Sequence, residues 1–136
     1  MSTHKAVAVL LRGEGSDVEV LVFRHPLAGV QLVKGSVEAG ESVRDAAVRE
    51  LAEESGLHTV HERSLGSWPS RYQGQVWHFE VVTATTPVRD AWAHLTQDDG
   101  GHVFRFFWHR LHAPAGEDWH PVYRDALAEL RQRLAR

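Results

Sequence analysis

Short apolar runs separated by polar turns mark the first part of the chain and predict β-strands. Residues 6–11 and 18–23 are two such runs, and the polar stretch between them carries two glycines, Gly13 and Gly15. This pattern favours a hairpin. After a loop opened by Pro26 and Gly29, residues 31–33 form a further short strand candidate.

Two later stretches have the period of an amphipathic helix. In residues 42–55, Ser42 is placed to cap the start with Asp45 three residues on, and Gly56 suits a left-handed stop. The second stretch, residues 119–136, repeats apolar residues at helical spacing. These residues are Val122, Ala126, Leu127, Leu130 and Leu134.

Three more strand candidates lie between the two helices, at residues 57–65, 75–84 and 103–108. In the last, Phe104, Phe106 and Trp108 share one face, a row that is typical of a core more often than of a base-stacking platform. Strands, a helix, more strands and a closing helix predict an α+β fold with a mixed sheet packed between helices. The length of 136 residues predicts a single domain, 1–136.

Composition narrows the class of protein. A net charge of −3 with 24% charged residues argues against a nucleic-acid partner or a membrane surface. The chain has no cysteine, which excludes disulfides, thiolate metal sites and a cysteine nucleophile. The apolar run near the N-terminus is too short for a membrane span and lacks the layout of a signal peptide. We therefore expect a cytoplasmic protein.

The first predicted helix carries a cluster of like charges. At about 100° per residue, Glu53 and Glu54 both fall within about 60° of Glu50, beside the apolar stripe of the same helix. Such a face is either a solvated acidic surface or a cation site. Hard carboxylate oxygens suit Mg²⁺ or Mn²⁺.

The spacing around these glutamates decides between the two. Gly35 is followed after five residues by Glu41, after seven more by Arg49-Glu50-Leu51, then by Glu53-Glu54 and Gly56-Leu57. This pattern resembles the signature box of the Nudix hydrolases with every fixed position filled, and it covers 23 of the 136 residues. One departure is Val33, where many members carry proline.

The resemblance implies a Nudix-type α/β/α sandwich and a metal-dependent hydrolase that cleaves a nucleoside diphosphate linked to another group. Glu50 and Glu54 would be the main metal ligands, with Glu53 a further ligand or the holder of a metal-bound water. The backbone carbonyl of Gly35 would complete the set. Behind these ligands, Arg49 and Glu41 would orient the glutamates and brace the loop against the helix.

The general base stays open at this point. In some members of the family it is a box glutamate and in others an acidic residue on a later loop. Asp98 and Asp99, in an acidic glycine-containing loop, are candidates of the second kind. Glu80 is another candidate, with a solvent-facing position as the alternative.

Candidate substrate contacts lie outside the box. Arg24, Arg71 and Arg105 are cations suited to phosphate or base contacts. Tyr72 lies about where diadenosine polyphosphate hydrolases carry a tyrosine. The histidine pairs His58/His61 and His109/His112 are interpreted as structural or surface residues.

The resemblance implies a nucleotide-type small molecule as the partner, and it leaves a homodimer open because the family contains both monomers and dimers. An alternative from another class is a catalytically silent Nudix-fold module that binds a nucleotide or a protein. Degenerate boxes are the usual mark of such modules, and this box is intact.

Overall fold

The computed structural model describes residues 3–97 and 101–135. In that part of the chain a group of strands precedes each of the two α-helices, close to the order that the hydrophobic pattern predicts. The strands are β1 (His4–Arg12), β2 (Glu19–His25), β3 (Gly29–Gln31), β4 (Val33–Ser36), β5 (Thr59–Pro69), β6 (Val76–Ala84), β7 (Ala91–Thr96) and β8 (His102–Arg110). The helices are α1 (Val43–Ser55) and α2 (Pro121–Leu134).

The strands form one mixed sheet in the order β5-β6-β1-β2-β8-β7, with β3 beside β2 and β4 beside β1. β1 is parallel to β6 and antiparallel to β2 and β4. Its pairing with β2 is registered at Leu11 and Arg12, whereas Lys5 to Ala8 pair with β4. β4 therefore lies beside the first half of β1, and its end leads directly into the loop before α1.

The two faces of the sheet carry separate cores, because successive side chains of a strand point to opposite faces. On one face, Val7, Val9, Trp77 and Phe79 lie in a cluster with Ala126, Leu127 and Leu130 of α2. On the other face, Ala6, Ala8 and Leu10 lie in a cluster with Ala46, Ala47 and Leu51 of α1. Helices therefore cover both faces, and the predicted α+β sandwich of a mixed sheet between helices is confirmed.

The ends of α1 follow from its capping residues. The Ser42 hydroxyl accepts a hydrogen bond from the Asp45 backbone N–H at 3.1 Å, which satisfies a donor that the first turn leaves open. Gly56 ends the helix in the left-handed conformation, with φ 80°. Fully buried Leu51 anchors the helix to the sheet, and burial of such a side chain stabilises the fold by about 1.5–3 kcal/mol.

The predicted strand at residues 31–33 is instead divided between β3 and β4. Buried Leu32 separates them, since β3 pairs with β2 and β4 pairs with β1. The chain thus changes partner strands at Leu32, a break that periodicity cannot reveal.

Other boundaries differ as well. The sequence interpretation missed β7, whose side chains are mostly exposed or partly buried and show no clear apolar alternation; Trp92 of this strand stacks on Phe106 of β8. β5 extends to Pro69 rather than ending near residue 65. α2 begins at Pro121, with the His120 side chain accepting from the Val122 backbone N–H.

Candidate active site

Gly35 of β4 lies against the side chain of Glu50. A Cβ atom on Gly35 would overlap the carboxyl group of Glu50. Gly35 is not among the residues with positive φ, so glycine is required here by space rather than by backbone conformation. The close approach brings the β4 backbone and a carboxylate of α1 together, as a site shared between them requires.

The three glutamates of α1 differ in exposure. Glu50 and Glu54 are buried, with 8% and 7% of their surface exposed, whereas the side chain of Glu53 is 46% exposed. Buried carboxylates need charge partners or cations. The helix therefore presents two enclosed carboxylates with a third at the solvent edge.

Arg49 is the charge partner that the structure provides. Its guanidinium binds both carboxylate oxygens of Glu41, at 2.8 and 2.9 Å. It also donates to Glu50 at 2.9 Å, to Glu53 at 3.3 Å and to the Ser36 carbonyl at 2.9 Å. One side chain thus joins the end of β4, the loop and the acidic face of α1.

These contacts shift the pKa of both partners in the direction that favours the charged form. Hydrogen bonding to Glu41 raises the pKa of Arg49 above its ordinary value. The same interaction lowers the pKa of Glu41, and the Glu38 backbone N–H, which donates to Glu41 Oε1 at 3.1 Å, adds to this effect. Glu41 is therefore held ionised as the brace between loop and helix.

The residues at this site fit a divalent cation by the chemistry of their donors. Carboxylate and carbonyl oxygens are the ligands that Mg²⁺ and Mn²⁺ prefer, and Gly35 leaves room for the Glu50 carboxyl beside the strand. Within residues 3–97 and 101–135, no three histidine or acidic residues are arranged as a preformed metal site. Arg49 bonds to Glu50 through one carboxylate oxygen, Oε1, and also to Glu53, so the guanidinium orients these carboxylates for a cation.

Lys34, next to Gly35, has an aromatic environment. Its Nζ lies 4.7 Å from the ring centroid of Trp77, 5.6 Å from that of Tyr72 and 5.7 Å from that of Tyr123. It also donates to Gln75 Oε1 at 3.2 Å. Burial, together with the charge of Lys5, lowers the pKa of Lys34 to about 8, while the field of Glu54 opposes this shift.

The field of Glu54 also reaches Tyr123. The pKa of Tyr123 is raised, first by burial and further by Glu54 and Tyr72. Glu54, Lys34 and Tyr123 are therefore electrostatic neighbours, although they come from α1, β4 and α2.

A cavity of about 470 Å³ lies beside this group, between the β5–β6 turn and the start of α2. Arg71, Tyr72, His120 and Asp125 are among its lining residues. The ring centroid of Tyr72 is 5.4 Å from that of His120 and 5.6 Å from Lys34 Nζ. Two of the predicted substrate contacts, Arg71 and Tyr72, thus line one cavity, and Tyr72 connects it to Lys34.

The other two predicted substrate contacts lie elsewhere. Arg24 of β2 pairs with Asp118 at 2.8 Å, and exposed Arg105 is its cross-strand neighbour on β8. Neither is among the residues that line the cavity beside Tyr72. The structure therefore does not bring these arginines together with Arg71 and Tyr72.

The candidates for a general base have different positions. Asp98 and Asp99 lie outside the described residues. Glu80 does not face solvent, since it is 1% exposed. Its two oxygens bind His61 Nε2 at 2.9 Å and Ser64 Oγ at 2.7 Å. Through these hydrogen bonds, Glu80 of β6 and His61 of β5 help to hold the two strands together.

Three groups of the site were not assigned a functional role from the sequence: the side chains of Lys34 and His120 and the Ser36 carbonyl. Lys34 carries the one available signal, since it is one of two lysines in the chain and precedes the glycine of the box. The roles of His120 and Ser36 depend on tertiary contacts and have no local pattern.

The chain belongs to the Nudix family, because the family model described as the NUDIX domain matches residues 2–130. Two curated relatives match a shorter segment. Nudix hydrolase 1 of Caenorhabditis elegans is 40% identical over 57 residues, which is 39% of this chain and 16% of that protein. Nudix hydrolase 21, chloroplastic, of Arabidopsis thaliana is 41% identical over 56 residues, 40% of this chain and 28% of that protein. The match thus spans less than a third of either relative.

Solved structures resemble almost the whole chain. An ADP-ribose pyrophosphatase from Streptococcus suis aligns with a TM-score of 0.69 and 16% identity, covering 97% of this chain and 89% of that one. A UDP-X diphosphatase gives a TM-score of 0.69 and 14% identity over 99% and 64% of the two chains. The MutT protein of Methanosarcina mazei gives 0.67 and 18% over 98% and 95%. At these identities the likeness establishes the fold.

In the part of the chain that the structure describes, neither helix has the length and apolar character needed to cross a membrane.

The contact between Gly35 and Glu50 makes a testable prediction. Gly35→Ala should lower the free energy of unfolding by about 1–3 kcal/mol, because the new methyl group overpacks a buried carboxyl. Urea denaturation measures the change. Gly116→Ala is the matched control, since its Cβ would meet only the end of the Asp118 side chain; its stability should stay within about 0.5 kcal/mol of wild type. Equal stability of both variants would contradict the steric role of Gly35.

The Glu41–Arg49 pair predicts a pH dependence of stability. Because the folded pKa of Glu41 is lowered, its contribution is fully present above the ordinary carboxyl pKa of about 4.3 and is lost as the pH falls through the folded value. Wild type should be more stable than Glu41→Gln at pH 7, and this difference should shrink as the pH falls toward 3. Urea titrations at several pH values measure it. Glu14→Gln, an exposed turn residue without a side-chain cap bond, should show little difference throughout. If the stability difference between wild type and Glu41→Gln did not change with pH, the proposed stabilisation by the ionised Glu41–Arg49 pair would be contradicted.

Proposed function

We propose that the chain hydrolyses a phosphoanhydride bond in a nucleoside diphosphate linked to another group, with Mg²⁺ or Mn²⁺ as cofactor. The observation that carries this proposal is the meeting of Gly35 with the buried Glu50 carboxylate, held by Arg49. The intact box and membership of the Nudix family support it.

Each residue of the site has a role in this proposal. Glu50, Glu54 and the Gly35 carbonyl hold the cation. Glu53, the exposed carboxylate of the set, holds and orients the attacking water. Arg49 and Glu41 position the carboxylates and keep the loop against α1. A divalent cation bound there supplies charge neutralisation for the diphosphate and polarisation of the phosphoryl group.

The acidity of the site explains why the cation is needed. Glu50, Glu53 and Glu54 share one helix face with one arginine against them. A diphosphate brings further negative charge, so it would be repelled from the carboxylates alone. Residues 1–136 are proposed to act as one domain. The cytoplasmic location and the homodimer stay predictions.

The names of the structural neighbours support the substrate class. One is an ADP-ribose pyrophosphatase and another is a UDP-X diphosphatase; both names describe a nucleoside diphosphate joined to a second group. The cavity beside Tyr72 provides space for part of such a molecule. A catalytically silent binding module would be favoured if a metal-ligand position of the box were substituted. All positions of the box are filled here, so this alternative is not favoured.

The proposal predicts metal-dependent turnover that depends on the glutamates of α1. The wild-type protein should hydrolyse at least one member of a panel of dinucleoside polyphosphates, ADP-ribose, sugar nucleotides, and canonical and oxidised nucleoside triphosphates, and only with Mg²⁺ or Mn²⁺. The double variant Glu53→Gln/Glu54→Gln should lose at least about 100-fold in kcat/KM, because loss of even supporting residues costs 10–100-fold. Release of phosphate-containing products measures both.

Glu14→Gln serves as the control, since it removes a carboxylate from the β1–β2 turn and should retain wild-type rates. If no compound of the panel were hydrolysed with either metal, the proposal that the chain is a hydrolase would be refuted. Turnover that survives in the double variant would refute the assignment of the site.

A further inference from the structure

The ammonium group of Lys34 lies close to three aromatic rings. The centroids of Trp77, Tyr72 and Tyr123 lie 4.7, 5.6 and 5.7 Å from its Nζ. The rings come from β6, the β5–β6 turn and α2, so three separate elements fix the position of one ammonium group. Faces of aromatic rings attract a cation and keep water away from it.

This ammonium group takes part in none of the direct salt bridges of the described residues. None of the ion pairs found in residues 3–97 and 101–135 includes Lys34. Its hydrogen-bond acceptor is the neutral amide oxygen of Gln75. Withdrawing a charge from water without a direct salt bridge is costly, and an ammonium carries three donors. The group is therefore suited to an anionic ligand with several acceptor oxygens.

The location of Lys34 indicates which anion. Lys34 is adjacent in sequence to Gly35, which lies against the carboxyl group of Glu50. Its Nζ also lies 5.6 Å from the ring centroid of Tyr72, which lines the cavity together with Arg71 and His120. Lys34 is thus connected through Gly35 to the carboxylates that would hold the cation and through Tyr72 to the space that would hold the rest of a substrate.

We propose that the Lys34 ammonium binds the diphosphate oxygens of the substrate, between the cation site on α1 and the cavity beside Tyr72. This assignment rests on the proposed function, because it presupposes a diphosphate at that site. Arg49 is already engaged by Glu41, Glu50 and Glu53, whereas Lys34 supplies a positive charge in no such salt bridge of the described residues. The aromatic rings hold that charge in place and remove competing water, so its attraction for phosphate oxygen is strengthened.

A purely structural role for Lys34 makes a different prediction. If Lys34 only braced β4 against Gln75 and the rings, its loss would loosen the site and weaken the binding of every ligand. If Lys34 binds the diphosphate, its loss weakens diphosphate binding but not cation binding. Removal of a positive charge near Glu54 should then leave Mn²⁺ affinity unchanged or increased.

The test compares two probes on the full chain: Mn²⁺ alone, followed by electron paramagnetic resonance, and inorganic pyrophosphate with Mg²⁺, followed by calorimetry. Lys34→Met and Lys34→Gln remove the charge with side chains of similar length. Lys5→Met is the matched control, because Lys5 is the other lysine of the chain and bonds Ser36 on the same strand pair. Circular dichroism and urea unfolding establish that each variant is folded.

We expect pyrophosphate affinity to fall at least 10-fold in both Lys34 variants and less than 3-fold in Lys5→Met, with Mn²⁺ affinity not reduced in any of them. Folded Lys34 variants that bind pyrophosphate as tightly as wild type would overturn the assignment. A parallel loss of Mn²⁺ affinity would also overturn it, in favour of a structural role. A wild-type protein that binds neither probe would instead overturn the proposed function, and the assignment of Lys34 with it.

Discussion

The arrangement of the site depends on the charge balance around Arg49. One guanidinium joins Glu41 of the loop, Glu50 and Glu53 of α1, and the Ser36 carbonyl at the end of β4. Without it, the carboxylates of α1 would repel one another and the loop would lose its attachment to the helix. The guanidinium binds both carboxylate oxygens of Glu41, a bidentate contact that lysine could not reproduce. The same guanidinium orients the carboxylates that would hold a metal ion.

The rest of the fold supplies rigid supports for this balance. β4 pairs with β1 in the sheet, α1 is anchored on the sheet by fully buried Leu51, and the absence of a side chain at Gly35 lets the strand and helix meet. Lys34 points to the opposite face of β4 from its neighbour Val33, because consecutive side chains of a strand alternate between the two faces. On that face, Lys34 lies among aromatic rings. A single short strand therefore carries both the backbone contact to the carboxylates and the cation beside the cavity.

Local features of the site could be predicted from the sequence, whereas contacts between distant elements could not. The shared face of Glu50, Glu53 and Glu54 follows from helical period, and the start and end of α1 follow from Ser42 and Gly56. The contacts of Lys34 depend on how β6 and α2 pack, and no local pattern encodes that. For the same reason β7 was missed: its pairing with β8 and the stacking of Trp92 on Phe106 stabilise it despite weak alternation. Glu80 has a polar side chain inside a strand, and only the structure shows that His61 and Ser64 allow it to be buried.

The central claim is that the carboxylates of α1 and the backbone of Gly35 together bind a divalent cation. Anomalous X-ray diffraction from crystals grown with Mn²⁺ tests it most directly. The account predicts an anomalous peak bounded by the carboxylates of Glu50 and Glu54 and the carbonyl oxygen of Gly35, and no such peak in Glu50→Gln/Glu54→Gln crystals. A manganese ion located elsewhere would contradict it.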